Sequence, residues 1–506
     1  MARILLVDDD WDQLELRTLI LEKKGHDVRA AMGCAQCLAV LEEFSPDVVI
    51  TDLLLPRSCD GEAMIRSVRA RCSAARIVVL SGYGGEIDAP ADAVLRKPVR
   101  TESLLAAIAK LAVCLLLFVA RAADFSFTTT GSASEVTAEL SARGPAGTIV
   151  ELHVDDGPAF HVNLFAGERD WRYPIFLGRF DAGPHRIRVA DINGVTASLG
   201  AIRQLTASDS LYDVVANAPV LYARLNTIGK FTDVPLLAYA TRTTEDGRRV
   251  LEYTVIFSNE DGGTSSRNLM SRWGRVTDIE YVYHVWLNAD GSPQRALIQG
   301  KDHKDIEYAG KHFAWHPVLI PVTDNNMVHF DGESPIRYQI APRLVDLSQH
   351  SREIVMDDEP FAYRISAEEM QREGKLRPYG VIDGEKISDP RNYLVVEAKL
   401  TVENAGMQAL IRVKGENRWV GGALGMAENF INRSGWIRTA IELPPGAQPE
   451  AIAFECLTPK RSGACRLEAI GRIFKLTPDY QPGANLAPRV PPAIVAPGEI
   501  VPIPLP

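Results

Sequence analysis

Five residues in the first hundred of this 506-residue chain are of types that could do chemistry together: Asp8, Asp9, Asp52, Ser81 and Lys97. Three carboxylates brought into one crevice repel one another unless a cation joins them, and oxygen ligands with positions left for water suit Mg²⁺. A lysine and a hydroxyl beside that cation make an anion site, where a phosphoryl group would satisfy all five residues at once. A carboxylate can attack phosphorus in line if the charge of the transferring group is neutralised. Positioning and electrostatics would then supply the catalysis.

The flanking sequence contains the elements needed to bring these residues together. "RILLV", "DVRAA", "DVVIT", "RIVVL" and "AVLR" read as short buried strands. Between them, "DWDQLELRTLILEKKG" has helical apolar spacing, with Asp10 as N-cap and Gly25 as stop, and "CAQCLAVLEEF", "EAMIRSVRAR" and "TESLLAAIAKL" are helical too. Apolar strands separated by helices imply a doubly wound α/β domain, a parallel sheet covered on both faces. Such sheets bind ligands beyond the carboxyl ends of their strands, and all five residues fall at those ends.

Residues 3–112 resemble a receiver domain of the bacterial response regulators (CheY-like, flavodoxin-like fold). The resemblance rests on the acidic pair in "LLVDDD", the aspartate in "VVITDLLLP", the serine in "VVLSG" and the lysine in "RKP". It implies that Asp52 is the phosphoacceptor, served by a sensor histidine kinase, a phosphotransfer protein or a small phosphodonor. It further implies that Asp8, Asp9, Asp52 and the backbone carbonyl of Leu54 hold Mg²⁺, that Ser81 bonds the phosphoryl oxygens and that Lys97 pairs with their charge. Three departures bear on output. Only fifteen residues separate Ser81 from Lys97, with Gly and Pro where a fourth helix should stand, Val94 replaces the usual aromatic three before the lysine, and the loop "PRSCDG" is one residue longer than the family usually has.

The rest of the chain is of a different texture. Residues 110–123 carry Lys110, ten apolar residues and then Ala120-Arg121-Ala122, the pattern of a secretory signal peptide placed in mid-chain. The run is short of the roughly 20 residues a membrane span needs, so membrane association is the less favoured reading. Alternating strand-like runs then suggest a β-sandwich-like domain over 124–205, a β-rich domain over 206–345 and a second β-sandwich-like domain over 346–477. The tail, 478–506, has nine prolines in 29 residues and reads as extended and disordered.

The 206–345 region gathers His303, His312, His316 and Asp302, a candidate second metal site if His312 and His316 share a helical face. Cys456 and Cys465 could form a disulfide, whereas the cysteines of the first hundred residues read as unpaired thiols. That contrast suggests a cytoplasmic location for 1–109 and an exported or periplasmic one for 124–506. A net charge of −10 argues against nucleic-acid binding.

Two readings of function follow. One is a two-component phosphorelay response regulator that accepts a phosphoryl group on Asp52 and passes the signal to attached β-rich domains. The other is a secreted or envelope β-rich protein that binds or hydrolyses a glycan, fused in frame to a receiver. No enzyme class is legible for 124–506, nor is the ligand of its β domains.

Overall fold

The computed structural model describes the chain except residues 1, 54, 56–60, 73–74, 83–90, 98, 100, 102, 106, 109–122, 132, 191, 193, 229–230, 261 and 459–462. Two compact units are present, 1–123 with 189–195, and 124–188 with 196–506.

In the first unit, strands β1 (Arg3–Asp8), β2 (Asp27–Met32), β3 (Val48–Asp52), β4 (Arg76–Ser81) and β5 (Ala93–Arg96) form a parallel sheet in the order β2-β1-β3-β4-β5. Helices α1 (Trp11–Lys23), α2 (Cys34–Glu43) and α3 (Gly61–Arg71) connect them, and residues 101, 103–105 and 107–108 are helical after β5. The side-chain period of two sorts each central strand onto both faces. Ile4, Leu6, Ile50 and Val78 pack with Leu14 and Leu21 of α1 and with Leu104 and Ile108. Leu5, Val7, Val49 and Val79 pack with Cys37 of α2 and Met64, Ile65 and Val68 of α3. The sheet is therefore buried on both sides, which is why β1, β3 and β4 read as unbroken apolar runs.

Helix α1 begins where the acidic run requires: the Asp10 carboxylate accepts from the amides of Asp12 and Gln13, satisfying two orphan donors of the first turn. It ends at Gly25, whose φ of +83° only glycine adopts without strain. Capping at Asp10 holds Asp8 and Asp9 at the mouth of the sheet rather than inside the helix.

The second unit is mainly β. A six-stranded sheet runs Lys304–Glu307, Pro293–Gly300, Asp278–Leu287, Arg248–Phe257, Pro235–Glu245 and Arg343–Leu344. Strands from within 124–189 share a nine-stranded sheet with strands from 220–338, joined where Tyr338 pairs with His161. The boundary expected at 205/206 thus falls inside one hydrogen-bonded sheet. Alternation and turn residues mark strands well, but they carry no information about which distant strand is the partner.

At the C-terminus, two four-stranded sheets built from Tyr393–Pro504 face a shared core that includes Leu394, Val396, Met407, Ile411 and Ile452. The tail is not disordered as its prolines suggested. Ala493–Ile494 pairs with Ala464–Lys475, and Ile503–Pro504 pairs with Pro449–Leu457, both as edge additions, where a proline's missing N–H is tolerated. Cys456 and Cys465 are disulfide-bonded. Cys34 is disulfide-bonded as well, which corrects the expectation of unpaired thiols in the first unit, where Cys37 and Cys72 are the free cysteines among the described residues. Cysteine pairing therefore does not separate the two parts of the chain by compartment. The signal-peptide-like run at 110–122 lies outside the described residues, and no helix among them is long and apolar enough to cross a membrane.

Candidate functional site

The site is a direct product of strand order. Strands β1, β3, β4 and β5 are consecutive neighbours, so the residues that end them are spaced by roughly one strand separation, about 4.8 Å. Asp8 ends β1, Asp52 ends β3, Ser81 ends β4, and Lys97 follows β5 with its amide donating to the Ser81 carbonyl at 2.9 Å. The register of Asp52 with Leu80 and of Ser81 with Arg96 brings these ends level.

The acidic residues meet. Ligand oxygens of Asp8, Asp9 and Asp52 all lie within 4.8 Å of one another, and no other cluster of three His, Cys, Asp or Glu residues does so among the described residues. Asp8 and Asp52 are buried, whereas Asp9 is exposed. The Lys97 ammonium donates to Asp52 Oδ2 at 2.7 Å and stands 3.9 Å from Asp8 Oδ2. The amide of Asp10 donates to Asp8 Oδ1 at 3.1 Å. Two buried carboxylates this close are tolerable only with cations beside them. A three-oxygen donor set open to solvent through Asp9 fits a hard divalent cation.

One participant was missed from sequence. Arg17, on α1, donates to Asp8 Oδ2 at 2.7 Å, and its side chain is 12% exposed. Its signal was available: Arg17 falls three residues after Leu14 and four before Leu21, the two buried positions of α1, so it shares their face.

Other expected residues stand elsewhere. Leu54, the loop 56–60 and the segment 83–90, where the fourth helix was in doubt, lie outside the described residues. Val94 is 47% exposed. The proposed second metal site is not assembled among the described residues. His312 and His316 occupy a β-hairpin, Phe313 pairing with His316 and His312 with Pro317, so they share no helical face. Pro317 and the short flanking strands explain the difference. His316 is buried, with Nδ1 2.9 Å from the Ala218 carbonyl and Nε2 3.2 Å from Glu135 Oε2, while His303 Nδ1 lies 2.8 Å from Gln299 Nε2 and Asp302 is exposed.

Comparison with known proteins agrees with this geometry for the first unit. The family model described as a response regulator receiver domain matches residues 4–109. Protein PilH of Pseudomonas aeruginosa is 33% identical over 115 residues, covering 95% of PilH and 21% of this chain. The chain belongs to the response regulator receiver family. The receiver is also 33% identical over 112 residues to the DNA-binding response regulator MtrA of Mycobacterium tuberculosis, a match covering 21% of this chain and 48% of MtrA. The chain thus spans about half the length of that relative, and the family match ends at residue 109. A response regulator receiver domain protein from Clostridium thermocellum is 29% identical, with 24% of this chain and 100% of that chain covered at a TM-score of 0.22.

Proposed function

We propose that the receiver accepts a phosphoryl group on Asp52 from a histidine kinase, a phosphotransfer protein or a small phosphodonor, and that the β-rich remainder of the chain carries the response. The observation that supports this most is the Lys97–Asp52 contact at 2.7 Å beside the Asp8/Asp9 pair. A nucleophilic carboxylate, a countercharge and a cation site coincide at the ends of adjacent strands. Asp52 forms the new O–P bond as the donor's bond to phosphorus breaks. Lys97 moves from the Asp52 carboxylate to the incoming phosphoryl oxygens, and the Ser81 hydroxyl donates to one of them. Asp8, Asp9 and Asp52 would hold Mg²⁺, together with the Leu54 carbonyl. The metal's chemistry there is to neutralise charge on the transferring group. Of the domain divisions read from sequence, 1–109 is proposed as the receiver, and the last β-sandwich-like domain is proposed to extend into the tail, since Ala493–Ile494 and Ile503–Pro504 add to its two sheets.

The test is incubation of the full chain with acetyl phosphate and Mg²⁺, read by intact mass. One added phosphoryl group is expected on the wild type and none on Asp52→Asn. Absence of the adduct on folded wild type, or an equal adduct on the variant, overturns the reading.

A further inference from the structure

Within the second unit, Val154, Phe160, Phe176–Phe180, Phe313, His316 and Arg337 line a partly open cavity of about 210 Å³. A cavity of about 150 Å³ with apolar walls accommodates benzene, so this one has room for a ring and a polar group. Most of its wall is apolar: Phe160 and Phe176 are fully buried, and Phe176 stacks on the His316 ring at 4.5 Å.

The polar lining is Arg179, His316, Gln339 and Arg337, and of these the buried cation is Arg337. It is only 7% exposed, yet no carboxylate pairs with it among the described residues. Its Nη2 donates to the Pro158 carbonyl at 2.7 Å, its guanidinium lies 5.0 Å from the centre of the Phe313 ring, and its buried Nε has no hydrogen-bond partner. The Glu135 carboxylate nearby is engaged by His316. Arg179, also lining the cavity, is exposed, pairs across the strands with Glu135 and is held by Tyr212 at 2.9 Å and by the face of Trp315, so the buried cation without a counter-ion is Arg337. A buried guanidinium without a counter-ion is among the costliest arrangements in a protein interior. An anion that enters the cavity removes that cost, and a guanidinium takes a carboxylate through charge-assisted hydrogen bonds.

We propose that this cavity binds a small organic anion, its carboxylate on Arg337 and its aromatic or aliphatic body against Phe160, Phe176 and Phe180. The apolar wall disfavours a fully hydrated inorganic anion, and the guanidinium disfavours a neutral ring. Calorimetric titration of the full chain with benzoate, with benzamide as the neutral isostere and inorganic phosphate as the second control, tests this. Benzoate is expected to bind, benzamide and phosphate not to. Arg337→Gln should weaken benzoate binding about tenfold or more. Phe313→Glu, at a position 41% exposed, puts a carboxylate over the guanidinium and should abolish binding with little effect on folding. It decides the matter should Arg337→Gln fail to fold. Failure of benzoate to bind folded wild type, benzamide or phosphate binding as tightly, or wild-type affinity in Phe313→Glu would overturn the proposal.

Discussion

Replacing Arg17 with leucine should tighten Mg²⁺ binding by the receiver while destabilising the metal-free fold. Arg17 donates to Asp8 Oδ2 at 2.7 Å, with 12% of its own side chain and 1% of Asp8's exposed. A charge-assisted hydrogen bond in such a setting is worth about 1.5–3 kcal/mol. A divalent cation held by Asp8, Asp9 and Asp52 must share that oxygen with the guanidinium and sit beside a like charge. In the variant the competition vanishes, and the lower figure converts to about a tenfold tighter dissociation constant. Without metal, Asp8 is left with Lys97 3.9 Å away and the Asp10 amide, so melting in chelator should shift downward. Calorimetric titration with MgCl₂ and thermal melts in chelator read the two effects. Arg66→Leu, an exposed position on α3, is the control and should change neither. Unchanged or weaker Mg²⁺ binding in Arg17→Leu would refute the reasoning, because it would mean the cation does not use Asp8.

Two further outcomes concern the second unit. Glu260 and Glu369 are each pushed up to about 7, chiefly by burial, and burial also raises Asp278 and Glu280, which face one another as like charges. From about pH 5 to pH 8 the folded chain then holds more protons than the unfolded chain, so the melting temperature of this unit should fall as pH rises through that window; a rise would contradict the burial of these groups. Arg438 is fully buried and donates to both Asp357 oxygens at 2.9 Å and to Glu397 Oε2 at 2.8 Å. Arg438→Met removes the cation shared by two buried carboxylates, leaving Asp357 to Arg472 and Glu397 to His350 and Ser351, and should lower the unfolding free energy by about 3 kcal/mol in urea titration, whereas a loss below about 1 kcal/mol would show the network to be no stronger than a surface pair.

The receiver was legible because its signals are local and mutually consistent. Apolar strands, the Asp10 cap, the Gly25 stop and the polar residues Asp8, Asp52, Ser81 and Lys97 at four strand ends all point to one parallel sheet, and strand order alone then converges those four. Arg17 escaped notice because a charged residue on a helix is ordinarily solvated, although its phase with Leu14 and Leu21 placed it on the buried face.

Beyond the receiver the strands were legible and their partners were not. The parallel pairing of His161 with Tyr338 spans 177 positions, a contact no local pattern encodes. The His312/His316 spacing fits a helix and a tight hairpin equally in periodicity, and Pro317 decided for the hairpin. The tail misled for a similar reason. Prolines exclude a central strand but not an edge, and edge pairing is what 493–494 and 503–504 use. The burial of Glu135 and Arg337 carries no sequence signal, since Glu135 sits among consecutive buried residues at the start of its strand and Arg337 opens a two-residue strand.

The most direct test of the central claim is to locate the acyl phosphate itself. The full chain, phosphorylated with acetyl phosphate and Mg²⁺, is treated with borohydride, which reduces an aspartyl phosphate to homoserine, and the peptides are sequenced by mass spectrometry. Conversion at Asp52 alone is predicted. Conversion at Asp8 or Asp9 instead, or at no aspartate of a folded and phosphodonor-treated chain, would contradict the account.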